Sequence, residues 1–213
     1  MPETAPSTVT LGTTGIVVHR AVGYDFIIWL MTLGRPRAFR DALVGLARLQ
    51  PGESVLDVGC GTGSLAIAAE RRVGPTGTVQ GVDASPEMID RAHRKAMNAG
   101  VTVTFRQAVA EALPFPDSTF DAVLSTVMLH HLPRKARQQC VGEIRRVLKP
   151  GGRVLVVDFA SSEKQGSLIG HFHRHGHVEL RDIITLLSDE GLATTESGAV
   201  GIRNLQFALA VKP

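Results

Sequence analysis

The sequence predicts a doubly wound α/β domain built on a mostly parallel sheet of seven strands, and three observations predict it. From residue 54 onward, short apolar runs alternate with amphipathic helical patterns, the signature of repeated strand–helix–strand units. One glycine-rich stretch, "VLDVGCGTG" (55–63), runs from a strand straight into a helix. Near the end, two strand-like runs are joined only by "GIRN". That link is too short for the crossover a parallel pair needs, so the two runs form an antiparallel hairpin at one edge.

Taken in order, "SVLDVG" (54–59) is the first strand and "SLAIAAERRV" (64–73) the helix after it. "TVQGVD" (78–83) is the second strand. The next helix, 85–100, carries its own boundary signals: Ser85 as N-cap, Pro86 at the first helical position, Glu87 in the first turn and Gly100 as the stop. "VTVTFRQ" (101–107) and "FDAVLSTV" (120–127) are the third and fourth strands, linked by the loop-like "EALPFPDST" where a helix would otherwise fall. A helix over 134–148 ends at "KPGG", and "RVLVVDF" (153–159) is the fifth strand. A helix over 178–191 precedes the hairpin strands 193–200 and 205–212.

A chain of 213 residues, 44% apolar, buries one sizeable core. We divide it into an N-terminal arm (1–22) and a single domain (23–213), within which 23–50 form a helical lid and 160–178 an insertion on the substrate side. Lys and Arg number 23 against 20 Asp and Glu, a net +3. The basic residues are dispersed except around Arg134–Lys149, which reads as a solvated helix face, so nucleic acid is not an expected partner. Two cysteines, Cys60 and Cys140, suggest no disulfide framework and a cytoplasmic location. The first fifteen residues lack the basic and apolar regions of an export signal. "FIIWLMTLG" (26–34) is too short to span a bilayer, which needs about 20 residues. It reads as a helix packed on the core, with peripheral contact to a membrane or lipid left open.

The chemistry concentrates at the glycine turn. Backbone amides and a helix N-terminus there face a ligand. The glycines are Gly59, Gly61 and Gly63, and Ser64 stands where a dinucleotide fingerprint would place its third glycine. Asp83 closes the next strand, where a carboxylate can accept both ribose hydroxyls of an adenosine.

Together, "LDVGCGTG", "GVDASPEM", "LPFPDSTFDAVLS", "LHHL" and "EIRRVLKPGGRVLVVDF" resemble the class I S-adenosylmethionine-dependent methyltransferases, in particular the ubiquinone/menaquinone group. The resemblance runs over roughly residues 23–160 and implies a Rossmann-like fold, S-adenosyl-L-methionine as cofactor and a small-molecule methyl acceptor, apolar or lipid- or quinone-like. It implies that Gly59, Gly61, Thr62 and Gly63 cradle the methionine moiety, with Asp57 anchoring the loop or meeting the ammonium. Asp83 would hold the ribose, flanked at the adenine by Ala84 and Met88, and Tyr24 would fold over the cofactor as part of the lid. Where the family carries Asp or Asn to bind the adenine amine, this chain has Val109, so the backbone at Val109 and Ala110 takes over, with Glu111 as a substitute. Two further departures concern the acceptor: Asp158-Phe159 replaces a Glu and a Ser, and an Asn and a His-x-x-Trp are missing upstream.

Methyl transfer needs alignment and exclusion of water, and a base only where the nucleophile must lose a proton. His130 and His131 follow the fourth strand at its ligand end and are candidate bases, with Ser125 a cofactor neighbour at the same edge. "HFHRHGH" (171–177) lies where the family builds its substrate wall; it reads either as part of that wall, with His173 and His175 the candidates within it, or as a solvated loop. No Cys or carboxylate cluster completes a metal shell around them, so no metal is expected. No Asn/Asp-Pro-Pro-Tyr box follows the fourth strand, which argues against DNA methylation. Two other readings use the same sheet: a nicotinamide-dependent oxidoreductase, opposed by Ser64, and a non-catalytic S-adenosylmethionine-binding regulatory module.

Overall fold

A computed structural model describes Gly15 and residues 34–159, 179–201 and 204–213. Helix α1 (Pro36–Leu46) precedes strand β1 (Ser54–Val58), after which come α2 (Ser64–Val73), β2 (Thr78–Asp83), α3 (Pro86–Ala99), β3 (Thr104–Gln107) and β4 (Phe120–Thr126). A single 3₁₀ turn (Leu129–His131) leads into α4 (Arg134–Val147), β5 (Leu148–Phe159), α5 (Leu180–Asp189), β6 (Ala193–Ala199) and β7 (Leu205–Val211). The strands form one sheet in the order β3-β2-β1-β4-β5-β7-β6. β1 to β5 are mutually parallel, and β7 runs antiparallel to both β5 and β6. This is the predicted seven-stranded α/β architecture, with β7 inserted between β5 and the edge strand β6.

Two apolar layers sandwich the sheet because successive side chains of a strand face opposite sides. Val55, Leu124, Leu155 and Val157 join α1, α2 and α3 on one face, packing against Phe39, Leu43, Ile67 and Ile89. Leu56, Val58, Val123, Val154 and Val156 join α4 and α5 on the other, against Val141, Ile144, Ile183 and Leu187. Phe120 and Ala122 sit two residues apart yet face opposite layers, because the pairing with β5 slips between them.

Local signals set the helix ends. Ser85 Oγ accepts the Met88 amide at 3.2 Å, and Gly100 closes α3 with a φ of 65°. At α5, Glu179 and Asp182 form a reciprocal capping box. Two strands differ from the expected spans. β3 begins at Thr104 rather than 101, since the Val101 amide is taken by Ala96 O at 3.2 Å and the residues after it serve as the exit from α3. β5 begins at Leu148 rather than 153: Leu148 already pairs with Phe120, and Gly151 and Gly152 exchange bonds with Lys212 at 2.8 Å.

The N-terminal ends of the strands are tied by charge. Arg153 binds both Glu53 oxygens at 2.8 and 2.7 Å and also donates to Ala47 O and Arg48 O. Burial would raise the Glu53 carboxyl, but Arg153 holds it below its ordinary value. Asp121 accepts from the Ser54 amide and from Lys149, each at 2.8 Å. The C-terminal ends carry Asp57, Asp83 and Asp158.

Candidate active site

As β1 ends, the chain crosses toward β2: the amides of Gly59 and Cys60 both donate to Val82 O at 2.9 Å. Gly59, Gly61 and Gly63 take φ values of 73°, 52° and 75°, a left-handed path that side chains disfavour. Space is equally restrictive. A Cβ on Gly59 would overlap Met128, and one on Gly63 would lie 2.6 Å from Phe105 Cζ and 2.8 Å from Ala92 Cβ. The turn therefore presents bare backbone to whatever it binds.

Asp83 closes the other side. Its two oxygens accept from the Gly61 and Ser85 amides at 2.9 Å each, so the carboxylate bridges the turn and the start of α3. Burial raises its pKa, and the Ser85, Gly61 and Ala84 amides pull it partly back. Asp57, in β1, is 2% exposed, and one of its oxygens has no hydrogen-bond partner. Burial, then the charge of Asp83, push this carboxyl up to about 7 against the pull of the Ala66 amide. Two carboxylates beside an open backbone turn make a receptor for a ligand with a cationic group and a diol. Cys60 is no nucleophile: burial and then both carboxylates push its thiol well up.

The residues expected at the adenine follow β3 (Val109, Ala110 and Glu111) or lie at the start of α3 (Ala84 and Met88). The Ala108 amide bonds Asp83 O at 3.0 Å, which seats the 108–112 loop beside the carboxylate. Val109 is buried, and its carbonyl accepts the Ala112 amide at 3.3 Å. Ala110 packs on the α4 side of the sheet. Glu111 approaches Cys140, whose thiol is raised by burial and then by Glu111. Gln107 Nε2 donates to Ala84 O at 3.1 Å, and Met88 is 2% exposed.

Ser125 and Thr126 end β4 with buried hydroxyls that have no partner. Strand alternation puts Ser125 with Val123 on the α4 face and Thr126 with Leu124 on the face of Asp57. Thr126 is thus the β4 hydroxyl on the Asp57 side. Lys95 was hidden among the charges of "HRKA": its ammonium reaches Thr62 Oγ1 at 2.9 Å and also Ser64 Oγ, locking α3 onto the glycine turn. The usable signal was spacing, since Met88, Ala92 and Lys95 fall on one helical face.

Past β4, Val127 takes a φ of 55° and its amide bonds Val157 O at 2.7 Å. A β-branched residue there costs about 1–3 kcal/mol, a strain that persists only where surroundings enforce it. It turns the chain so that His130 lies over the end of β5. His130 Nδ1 and Asp158 Oδ1 are 2.7 Å apart, and the His130 and His131 ring centroids lie 3.9 Å apart with the planes tilted by 44°. Tyr24, His173 and His175, like residues 23–33 of the lid and the whole 160–178 insertion, fall outside the described residues. No group of three metal-ligating side chains occurs among the described residues, and no helix among them is long and apolar enough to cross a membrane.

A doubly wound sheet with a glycine turn after β1 and a carboxylate closing β2 defines a binder of adenosyl cofactors. Comparison with known proteins narrows the class. A family profile described as a methyltransferase domain matches residues 55–152. The ubiquinone/menaquinone biosynthesis C-methyltransferase UbiE of Burkholderia mallei is 36% identical over 146 residues, 68% of this chain and 59% of its own length. A crystal structure of an S-adenosylmethionine-dependent methyltransferase from Aquifex aeolicus matches with a TM-score of 0.75 at 21% identity, covering 91% of this chain and 97% of that one. The YcgJ protein of Bacillus subtilis matches at 0.63 and 31% identity, covering 76% and 71%. The chain belongs to the class I S-adenosylmethionine-dependent methyltransferases. It spans about 59% of the length of the curated quinone methyltransferases it matches.

S-adenosyl-L-methionine is the cofactor of that family, and the residues fit it. The unpartnered Asp57 oxygen suits its ammonium, the Asp83 carboxylate its ribose, and the left-handed backbone of Gly59, Gly61 and Gly63 its amino-acid end.

Proposed function

We propose that this protein transfers a methyl group from S-adenosyl-L-methionine to a small, apolar, quinone-like acceptor. The observation that carries the reading is the buried Asp57 carboxylate with an unsatisfied oxygen, set beside Asp83 and three left-handed glycines. An unpaired buried carboxylate costs several kcal/mol, so its retention is accounted for by a cation that arrives with the ligand. When bound, the cofactor supplies a methyl group on a sulfonium. Asp57 and the glycine turn hold its amino-acid end, Lys95 keeps the turn against α3, and Asp83 orients the ribose. Val109, Ala110 and Met88 close the adenine side with apolar surface, and Ser64 disfavours a dinucleotide pyrophosphate.

The quinone-like acceptor is supported by the likeness to UbiE. Within the segment 23–50, residues 23–33 with Tyr24 serve as a lid that excludes water, whereas α1 (Pro36–Leu46) belongs to the core, and residues 160–178, with His173 and His175, serve as the acceptor wall. Calorimetry tests the reading: S-adenosylmethionine and S-adenosylhomocysteine should bind and NADH should not. Asp83→Ala should weaken cofactor binding at least tenfold, since charge-assisted bonds contribute about 1.5–3 kcal/mol each. Tight NADH binding would establish the oxidoreductase reading instead. Cofactor binding without S-adenosylhomocysteine release from any hydroquinone, phenol, amine or thiol would mark a regulatory module.

A further inference from the structure

Cofactor binding accounts for Asp57, Asp83 and the glycine turn, but not for Asp158. This residue lies one position before the end of β5 and is 1% exposed. Its carboxylate is turned onto one short stretch of chain. Oδ2 accepts the His130 amide at 3.1 Å, and Oδ1 lies 2.7 Å from His130 Nδ1 and accepts the Phe159 amide at 2.8 Å. Among the described residues its ion-pair partner is His130. The imidazole is held from its other sides by the edge-on Phe159 ring at 5.4 Å and by His131 at 3.9 Å. The backbone that delivers it is the left-handed Val127 turn at the ligand end of the sheet. A buried acid, an oriented imidazole and an enforced turn are the parts of a base with a fixed tautomer.

On the methyl-transfer reading above, we propose that Asp158 positions His130 as the proton acceptor of the reaction and that the acceptor substrate bears an ionisable hydroxyl on a conjugated ring, as in a hydroquinone or phenol. The Asp158 carboxylate accepts Nδ1–H, so Nε2 carries the lone pair that takes the hydroxyl proton. The electron pair left on the substrate, at oxygen or at the conjugated ring carbon, forms the new bond to the methyl carbon. The bond from that carbon to sulfur breaks, and its electron pair stays on sulfur, which becomes a neutral thioether. Attack through oxygen leaves one proton on His130. Attack through carbon releases the ring proton to water, and the phenolate recovers its proton from His130. Either way one proton is lost per methyl transferred. Amines, whose lone pair needs no deprotonated neighbour to attack, would not require this pair.

The test uses the full chain labelled with ¹⁵N, with reduced 1,4-naphthoquinone as acceptor probe. Long-range ¹H–¹⁵N spectra should show one imidazole in the Nδ1–H tautomer that disappears in His130→Gln and shifts toward the other tautomer in Asp158→Asn. Turnover of the probe should fall about a hundredfold or more in Asp158→Asn, recover in part in Asp158→Glu, and vanish in His130→Gln, while cofactor affinity measured by calorimetry stays within about threefold. An unchanged His130 tautomer in Asp158→Asn, or a loss of turnover matched by loss of cofactor affinity, would overturn the positioning role. A wild-type protein that binds cofactor but methylates an amine rather than the hydroquinone would overturn the acceptor class. Failure to bind cofactor at all would instead defeat the underlying methyltransferase reading, and the tautomer measurement would still decide the part played by Asp158.

Discussion

Replacing Asp57 with Asn tests the electrostatic core of the site without any substrate. The side chain keeps its volume and an oxygen for the Ala66 amide but loses its charge. In the free protein the Asp57 carboxyl sits at about 7 against an ordinary 3.8, raised by burial and then by Asp83. Because the folded value is the higher one, the native state holds a proton that the unfolded chain has released throughout this window. Stability must therefore fall as pH rises from about 4 to about 7 and stay low above it. Three pH units correspond to about 4 kcal/mol at most, of which about 2–3 kcal/mol falls between about pH 5 and about pH 8. Asp57→Asn should remove that slope, so its advantage over wild type in urea unfolding should grow by that amount across the interval. Saturating S-adenosylhomocysteine should flatten the wild-type slope as well, since its ammonium favours the ionised carboxylate. A difference between wild type and variant that is the same at both pH values would refute the reasoning.

Gly63→Ala should cost about 1–3 kcal/mol by thermal unfolding and weaken cofactor binding, because the new methyl meets Phe105 and Ala92 at a φ of 75°. Folding energetics and affinity equal to wild type would show that the turn is looser than its geometry. Arg153→Met should destabilise by about 2 kcal/mol, because Glu53 loses its guanidinium partner and Ala47 O and Arg48 O lose the Arg153 donor, while Gln50 still donates to Glu53 and to Arg48 O. Cofactor affinity should be unchanged, and calorimetry on the variant checks this.

What could be read in advance was whatever the chain specifies locally. The α2 span, the Ser85 cap, the Pro86 start and the Gly100 stop all depend on residues within one or two turns of one another, and they stand where the sequence placed them. The glycine turn with Asp83 was legible because a strand, a turn and a second strand end occur in fixed order. The long-range partners were not. Lys95 meets Thr62 across 33 positions, and Asp158 meets His130 across 28, and nothing near either residue distinguishes it from a solvated lysine or a strand-end acid. The preference of Thr126 over Ser125 for the Asp57 face needed the strand register. The beginning of β5 at Leu148 was masked by "KPGG", whose turn chemistry is real but serves an irregular pairing with Phe120 and contacts to Lys212.

The opposed placement of charges along the strands bears on how the molecule tolerates change. Arg153 with Glu53 and Lys149 with Asp121 brace the bottom of the sheet, whereas Asp57, Asp83 and Asp158 stand at the top, one strand length away. A five-residue strand such as β1 spans roughly 13–17 Å, beyond the range at which substitutions usually interfere with one another. The two ends can therefore be altered almost independently. Stabilising changes at the base should add to specificity changes at the rim rather than compete with them, which makes the base the place to gain thermal tolerance before the acceptor pocket is redesigned.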